Sequence, residues 1–233
     1  MPGTTCVVRK DGEIMIRGAI IDFDGTLFDS MGIWDTAGEE YLRSVGCEAR
    51  ENLQAVLKTM SLHQAACYIK SEYVPDKTPE EIIKGVNHVV EDFYFNTAEP
   101  KPDVIHLLEG FLERSVKMCI ATATERYQVE AALRRCGMSR FFEDILTCTD
   151  IKHGKDEPDI FREALGILGT DRTNTIVIED AYHAIKTAKT DGFCTLAVFD
   201  SHEANQKEIR KIADFYLSDY SDLDAFWKFV SGK

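Results

Sequence analysis

The sequence predicts an α/β fold: a doubly wound, Rossmann-like parallel sheet with an inserted all-helical cap domain. Three observations carry that expectation. Four short apolar runs end in polar clusters: GAIIDFDGT (18–26), VKMCIATAT (116–124), TIVIEDA (175–181) and FCTLAVFD (193–200). Their length, β-branched content and lack of strict alternation suit strands buried on both faces of a parallel sheet. Helical patterns lie between the later runs, and strands alternating with helices make a doubly wound sheet. The third observation is an interruption: residues 31–99 hold helical spacings and no comparable strand run.

In chain order, the first sixteen residues carry the least pattern, although VVRKDGEIMI has an Asp11-Gly12 turn suited to a small hairpin. The strand run 18–26 follows. Within 31–99, Ile33, Ala37, Tyr41 and Val45 make one helical stripe; Ile82, Ile83, Val86, Val90 and Phe93 make another. The second has a full start signal, with Thr78 as cap, Pro79 first and Glu81 three residues after the cap. Trp34 and Tyr41 read as helix-packing residues, and Glu99-Pro100-Lys101-Pro102 as a stiff linker back to the sheet. Beyond it, Val104, Ile105, Leu107, Leu108, Phe111 and Leu112 form a stripe; Val129, Leu133 and Cys136 form the next, closed by Gly137. Pro158 opens a helix through Ile160, Phe161, Ala164, Leu165 and Leu168, which Gly169 ends. The expected domains are an α/β core of 1–30 and 100–233 and an inserted helical cap of 31–99.

Composition narrows the partners. The 233 residues suit one large domain, or one domain with an insertion. Forty acidic against 27 basic side chains give a net charge of −13, which disfavours nucleic acid and anionic membrane, since both reward Lys and Arg. With 44% apolar and 29% charged residues the chain reads as globular rather than disordered. No apolar run approaches the roughly 18 residues of a membrane span. Arg9, Lys10, Asp11, Glu13 and Arg17 break the N-terminal stretch, so it does not read as a signal peptide. Seven cysteines without a C-x-x-C pair, Cys119 and Cys194 among them in apolar runs, read as reduced and mostly buried thiols. A cytoplasmic protein is expected; its oligomeric state is not legible.

The strongest chemical signal is Asp22-Phe23-Asp24-Gly25-Thr26 at a strand end. Two carboxylates one residue apart, leaving a strand, can converge on one ion. Gly25 lets the backbone turn and approach an anion without a Cβ in the way. Asp, Gly and Thr are also common turn residues. Two acids directly after the apolar Ile20-Ile21 are nevertheless costly unless a cation or hydrogen bonds compensate. The six histidines lack metal-binding spacing, which disfavours zinc. Neither a G-x-x-x-x-G-K-[ST] loop nor a G-x-S-x-G elbow occurs.

DFDGTLFDS resembles the first motif of the haloacid dehalogenase-like phosphatase superfamily, and three further motifs follow in the family's order. KMCIAT ends at Thr122 as the second requires. Lys155, followed by Pro158, Asp159 and Phe161, resembles the third. IVIEDAYHAIKTAKTDG, with Glu179-Asp180, resembles the fourth. The helical insertion is similar to that of the subgroup containing phosphoglycolate phosphatases and beta-phosphoglucomutases. Three positions depart from the family's habits: Ala123 where Asn often stands, Asp156 after the lysine where Pro is usual, and Ala184 where Gly is frequent. None removes a group the chemistry needs.

The resemblance implies a Mg²⁺-dependent phosphatase acting on a small phosphorylated metabolite. Asp22 would be the phosphoryl-accepting nucleophile and Asp24 the general acid and base. Thr122 and Lys155 would bear phosphoryl charge, with Gly25, Thr26 and Ala123 beside the substrate. Asp22, Asp180, the Asp24 carbonyl and Glu179 would serve the metal, Glu179 through water. The inserted helices would close as a cap that excludes bulk water. Taken alone, Thr122 could be a strand residue with a satisfied hydroxyl, Lys155 a solvated lysine, and Glu179-Asp180 a helix cap.

Rival readings remain open. A phosphosugar mutase would use the same core and would need cap cations, drawn from Arg43, Arg50, Lys58, Lys70, Lys77 and Lys84, to grip a spectator phosphate. A dehalogenase would leave Asp24 superfluous. A receiver domain is about half this length and lacks the cap. Leaving-group specificity is expected in the cap. The polar stretch 58–64, with Lys58 and His63, is the suspected reader, or an ordinary interhelix loop.

Overall fold

A computed structural model describes residues 16–57, 60 and 62–231, so the hairpin expected around Asp11-Gly12 lies outside the described residues. The chain divides into two compact units, Ser30–Ala98 and Met1–Asp29 with Glu99–Lys233. The first unit contains α1 (Met31–Ser44), α2 (Leu53–Leu57), α3 (Leu62–Glu72) and α4 (Pro79–Asn96). Helix α4 starts as its sequence dictates: Glu81 N–H donates to the Thr78 hydroxyl at 3.2 Å, and Thr78 N–H to the Glu81 carboxylate at 2.7 Å. Such a reciprocal cap satisfies two backbone donors that the first turn would otherwise orphan. Tyr41 of α1 lies over Gly85 of α4, where a Cβ would meet the ring at 2.2 Å. Trp34 N–H donates to the Tyr94 hydroxyl at 3.1 Å, so both aromatics join α1 to α4.

In the second unit, β1 (Gly18–Ile21), β2 (Lys117–Thr122), β3 (Asp144–Thr147), β4 (Thr175–Glu179), β5 (Cys194–Val198) and β6 (Phe215–Leu217) form one sheet in the order β3-β2-β1-β4-β5-β6. Every pairing is parallel. Its helices are α5 (Val104–Glu113), α6 (Arg126–Arg135), α7 (Cys148–Ile151), α8 (Asp159–Leu168), α9 (Tyr182–Thr190), α10 (Gln206–Ile212) and α11 (Asp224–Val230). Ile20, Cys119 and Val177 of the sheet pack with Ile160, Phe161, Ala164 and Leu168 of α8 and Ala184 and Ala188 of α9. Each large apolar side chain so buried contributes about 1.5–3 kcal/mol. Phe111 of α5 meets Phe226 and Trp227 of α11 edge-on, at centroid distances of 6.0 and 5.4 Å.

Strand order reverses at the centre: the chain runs outward from β1 to β2 and β3, then returns beside β1 as β4. A crevice at the carboxyl ends of β1 and β4 follows from that topology.

Four findings differ from the sequence reading. Strands β3 and β6 are additional to the four expected runs. Segment 99–101 is no free linker, because Asp29 N–H donates to the Glu99 carbonyl and Lys101 N–H to the Leu27 carbonyl, pairing it with the outgoing chain. The stretch 58–64 is not wholly a loop: Leu62, His63 and Gln64 already belong to α3. Cys47, Cys67, Cys119 and Cys148 carry free thiols, whereas Cys194 is disulfide-bonded rather than reduced. Among the described residues, no helix is long and apolar enough to cross a membrane.

Candidate active site

Apolar Ile20 and Ile21 fix β1 in the centre of the sheet, and Asp22 extends its ladder by one residue, N–H donating to the Ile178 carbonyl at 3.0 Å. That register sets Asp22 beside the end of β4, where Glu179 is the last strand residue and Asp180 follows. Oxygens of Asp22, Glu179 and Asp180 lie within 4.8 Å of one another. Lys155, from the connection between α7 and α8, donates to Asp22 Oδ1 and, at 2.7 Å, to Glu179 Oε1. The other Glu179 oxygen accepts the N–H groups of Asp180 and Ala181, each at 3.2 Å. All four side chains are buried, Glu179 at 1% exposure.

Such a cluster is under electrostatic stress. Burial, then the charge of Glu179, pushes the Asp22 carboxyl up to about 6 against the opposing pull of Lys155. Asp180 is raised well above the ordinary carboxylate range by burial and by the charges of Glu179 and Asp22. Burial pulls Lys155 down, but Asp22 and Glu179 more than offset it and keep the ammonium charged. Three carboxylates against one ammonium leave a negative excess in a medium that solvates it poorly. The donors are all hard oxygens, the set that Mg²⁺ prefers, and a divalent cation would relieve that repulsion. The residues therefore fit the metal that the family resemblance implies.

The 22–28 loop is shaped around Asp180. Gly25 has φ +75°, and a Cβ there would lie 2.6 Å from Asp180 Oδ2, so glycine is required for conformation and for space. Leu27 and Phe28 N–H groups both donate to the Phe23 carbonyl, and the Phe23 and Phe28 rings stack at 4.4 Å. Thr26 is fully buried; its hydroxyl donates to Asp180 Oδ1 at 2.9 Å. Thr26, expected beside the substrate from sequence, has its side-chain hydroxyl on an acid of the cluster.

The Asp24 carboxylate is not part of the three-acid cluster. It is half-buried and accepts the Thr124 hydroxyl at 2.5 Å. Thr122, the buried last residue of β2, accepts the Thr124 N–H on its own hydroxyl at 3.0 Å. Thr124 thereby ties Asp24 to Thr122, a role the sequence reading missed. No local signal pointed to it, because the acid it holds lies 100 residues away in the chain. Ala123 is exposed at the strand end. The Thr187 hydroxyl donates to the Asp156 backbone carbonyl at 3.1 Å, an acceptor that does not depend on the side chain at that position. His63 is exposed on α3, 3.6 Å from Cys67 Sγ, and Lys58 lies outside the described residues.

Comparison with known proteins agrees with the motif resemblance. The haloacid dehalogenase-like hydrolase family matches residues 19–198. The pyrophosphatase PpaX of Bacillus velezensis is 26% identical over 212 residues, covering 89% of this chain and 94% of that protein. Fructose-1-phosphate phosphatase YqaB of Escherichia coli is 25% identical over 175 residues, covering 75% and 92%. Among solved structures, CbbY from Rhodobacter sphaeroides in complex with phosphate superposes with a TM-score of 0.78 at 21% identity, covering 90% of this chain and 97% of that one. At that identity the likeness concerns the fold.

Proposed function

The chain belongs to the haloacid dehalogenase-like hydrolase family, and we propose that it is a Mg²⁺-dependent phosphatase of a small phosphate monoester, working through an aspartyl phosphate on Asp22. The observation that carries this reading is the buried Asp22–Lys155–Glu179–Asp180 cluster at the strand-order reversal. Two relatives named as phosphatases, of pyrophosphate and of a sugar phosphate, support the reaction class.

Asp22 and Asp180, with the Asp24 carbonyl, would hold Mg²⁺, which supplies charge neutralisation for the phosphoryl group when bound. An Asp22 oxygen attacks phosphorus, forming a P–O bond to the enzyme as the ester P–O bond breaks. Asp24 gives its proton to the departing alkoxide. As a carboxylate it then takes a proton from the water that attacks the aspartyl phosphate, releasing phosphate and regenerating Asp22. Thr124 orients Asp24 for both transfers. Lys155 bears charge on the in-flight group, with the Thr122 hydroxyl beside it. Glu179 holds Lys155 and the turn into α9, and would assist the metal through water.

Unit Ser30–Ala98 would act as the cap that meets the leaving group, with His63 and Lys58 as candidate readers. Hydrolysis is favoured over a mutase because Arg43 and Arg50, the two arginines of this unit, are already paired with Glu39 and Glu72 at 2.8 Å. The test is phosphate release from a panel of sugar, polyol, glycolate and nucleotide phosphates and pyrophosphate, with Mg²⁺ and with excess chelator. Release that needs Mg²⁺ supports the reading. Full turnover in chelator, or isomer formation from a hexose 1-phosphate without phosphate release, contradicts it.

A further inference from the structure

Residues beyond 198 lie outside the family match, yet one of them reaches the acidic cluster. Tyr220, between β6 and α11, is 1% exposed, and its hydroxyl donates to the Thr26 carbonyl at 2.9 Å. The Thr26 hydroxyl in turn donates to Asp180 Oδ1 at 2.9 Å. Two hydrogen bonds through one residue thus join the C-terminal segment to a carboxylate of the cluster. The segment is firmly placed: Ser221 N–H donates to Asp219 Oδ1 and Asp224 N–H to Asp222 Oδ1, both at 2.9 Å, and Phe226 of α11 is fully buried. The loop it steadies is the one that turns at Gly25 against Asp180 Oδ2. Burial raises the phenol above its ordinary range, with the Asp180 and Asp22 charges acting in the same sense, so the hydroxyl stays a donor.

We propose that Tyr220 is a positioning residue for the metal-binding carboxylates. Its hydroxyl fixes the Thr26 peptide, and the Thr26 hydroxyl then presents Asp180 in the orientation a divalent cation requires. The inference rests on the reading that Asp22 and Asp180 hold Mg²⁺. Tyr220 touches neither substrate nor reacting atoms; it acts through Thr26. A group that orients a metal-ligating residue directly is typically worth 10–100-fold in metal affinity, and Tyr220 stands one link further out.

The experiment is calorimetric titration of Mg²⁺ into the metal-free 233-residue chain, with a thermal melt of each variant. Tyr220→Phe keeps the ring and removes the donor; Mg²⁺ binding should weaken about 10-fold. Phe226→Leu is the packing control: it should lower the melting temperature at least as much while leaving Mg²⁺ affinity within about 2-fold of wild type. Thr26→Val, which breaks the next link, should weaken binding as Tyr220→Phe does, and Thr26→Ser should restore it. Wild-type affinity in Tyr220→Phe overturns the inference, as does an equal loss in Phe226→Leu, which would make Tyr220 a matter of stability alone. If Tyr220→Phe does not fold, the Thr26 pair decides. Failure of the underlying reading is distinguishable: wild type and Asp180→Ala would then bind Mg²⁺ alike, and the inference would fall with it.

Discussion

In the α/β unit four charged side chains converge where water hardly reaches, whereas the ion pairs of the helical unit lie on its surface. Lys155, Asp22, Glu179 and Asp180 are each 7% exposed or less. In the helical unit, by contrast, the Arg43–Glu39 pair has side chains 71% and 56% exposed, and the Arg50–Glu72 pair 58% and 37%. The same chemical groups therefore do different physical things. Exposed pairs are screened and contribute little to stability. A buried cluster with excess negative charge costs stability, and such expenditure belongs to sites that use charge.

The largest expected difference is in chemistry. Asp22→Asn should lower turnover at least about 10⁴-fold, because an amide is a poor nucleophile. Loss of Arg43 should leave phosphate release from a small ester unchanged. Comparable steady-state losses from the two would erase the contrast.

Stability should separate the units next. Lys155→Ala removes the one ammonium among buried carboxylates and should cost about 3–5 kcal/mol in denaturant unfolding. Arg43→Ala should stay within about 0.5 kcal/mol. Equal shifts in the two midpoints would show that the buried cluster is no more tightly coupled than a surface pair.

A smaller effect sharpens the role of Thr124. A hydrogen bond to a charged group is worth about 1.5–3 kcal/mol, so Thr124→Val should slow turnover of an alkyl phosphate roughly 10-fold or more. An aryl phosphate with a good leaving group needs little protonation, so its phosphoryl-transfer step should fall less. Equal losses of that step on both esters would make Thr124 structural only.

The smallest effect is within the α/β unit itself. Asp191 accepts Arg162 Nε at 3.0 Å and Arg172 Nε at 3.0 Å, and the Arg162 hydrogen bond leads in holding its carboxyl below the usual range. A depressed native value means stability present above the unfolded carboxylate value, near 3.9, and lost as pH falls through the native one. Asp191→Asn should therefore cost about 1 kcal/mol at pH 7 and progressively less in acid. A pH-independent loss would remove the ion pair from the explanation.

Much of this arrangement was legible in the sequence, for reasons that also mark the limit. Strands β1, β2, β4 and β5 announce themselves because burial on both faces demands continuous apolar runs. Strands β3 and β6 do not: DILT has four residues and FYL three, and each forms an edge of the sheet. Asp22, Lys155 and Asp180 could be picked out because motif order names them one by one. Thr124 and Tyr220 could not, since their partners are 100 and 194 residues away and no local pattern encodes such a contact. Thr26 sits in the strongest motif, and only the fold reveals that its hydroxyl serves Asp180.

The central claim, a phosphoryl group carried on Asp22, is tested most directly in Asp24→Asn. That variant keeps the nucleophile and the Asp24 carbonyl but lacks the base for the second step, a contribution typically worth about 10²–10⁴-fold. Mixed with an activated aryl phosphate and Mg²⁺, then quenched within the first turnover, it should show a stoichiometric burst of alcohol. A mass spectrum should place one added phosphoryl group on the peptide containing Asp22. Wild-type steady-state turnover in the variant, with no mass added to that peptide, would contradict the account.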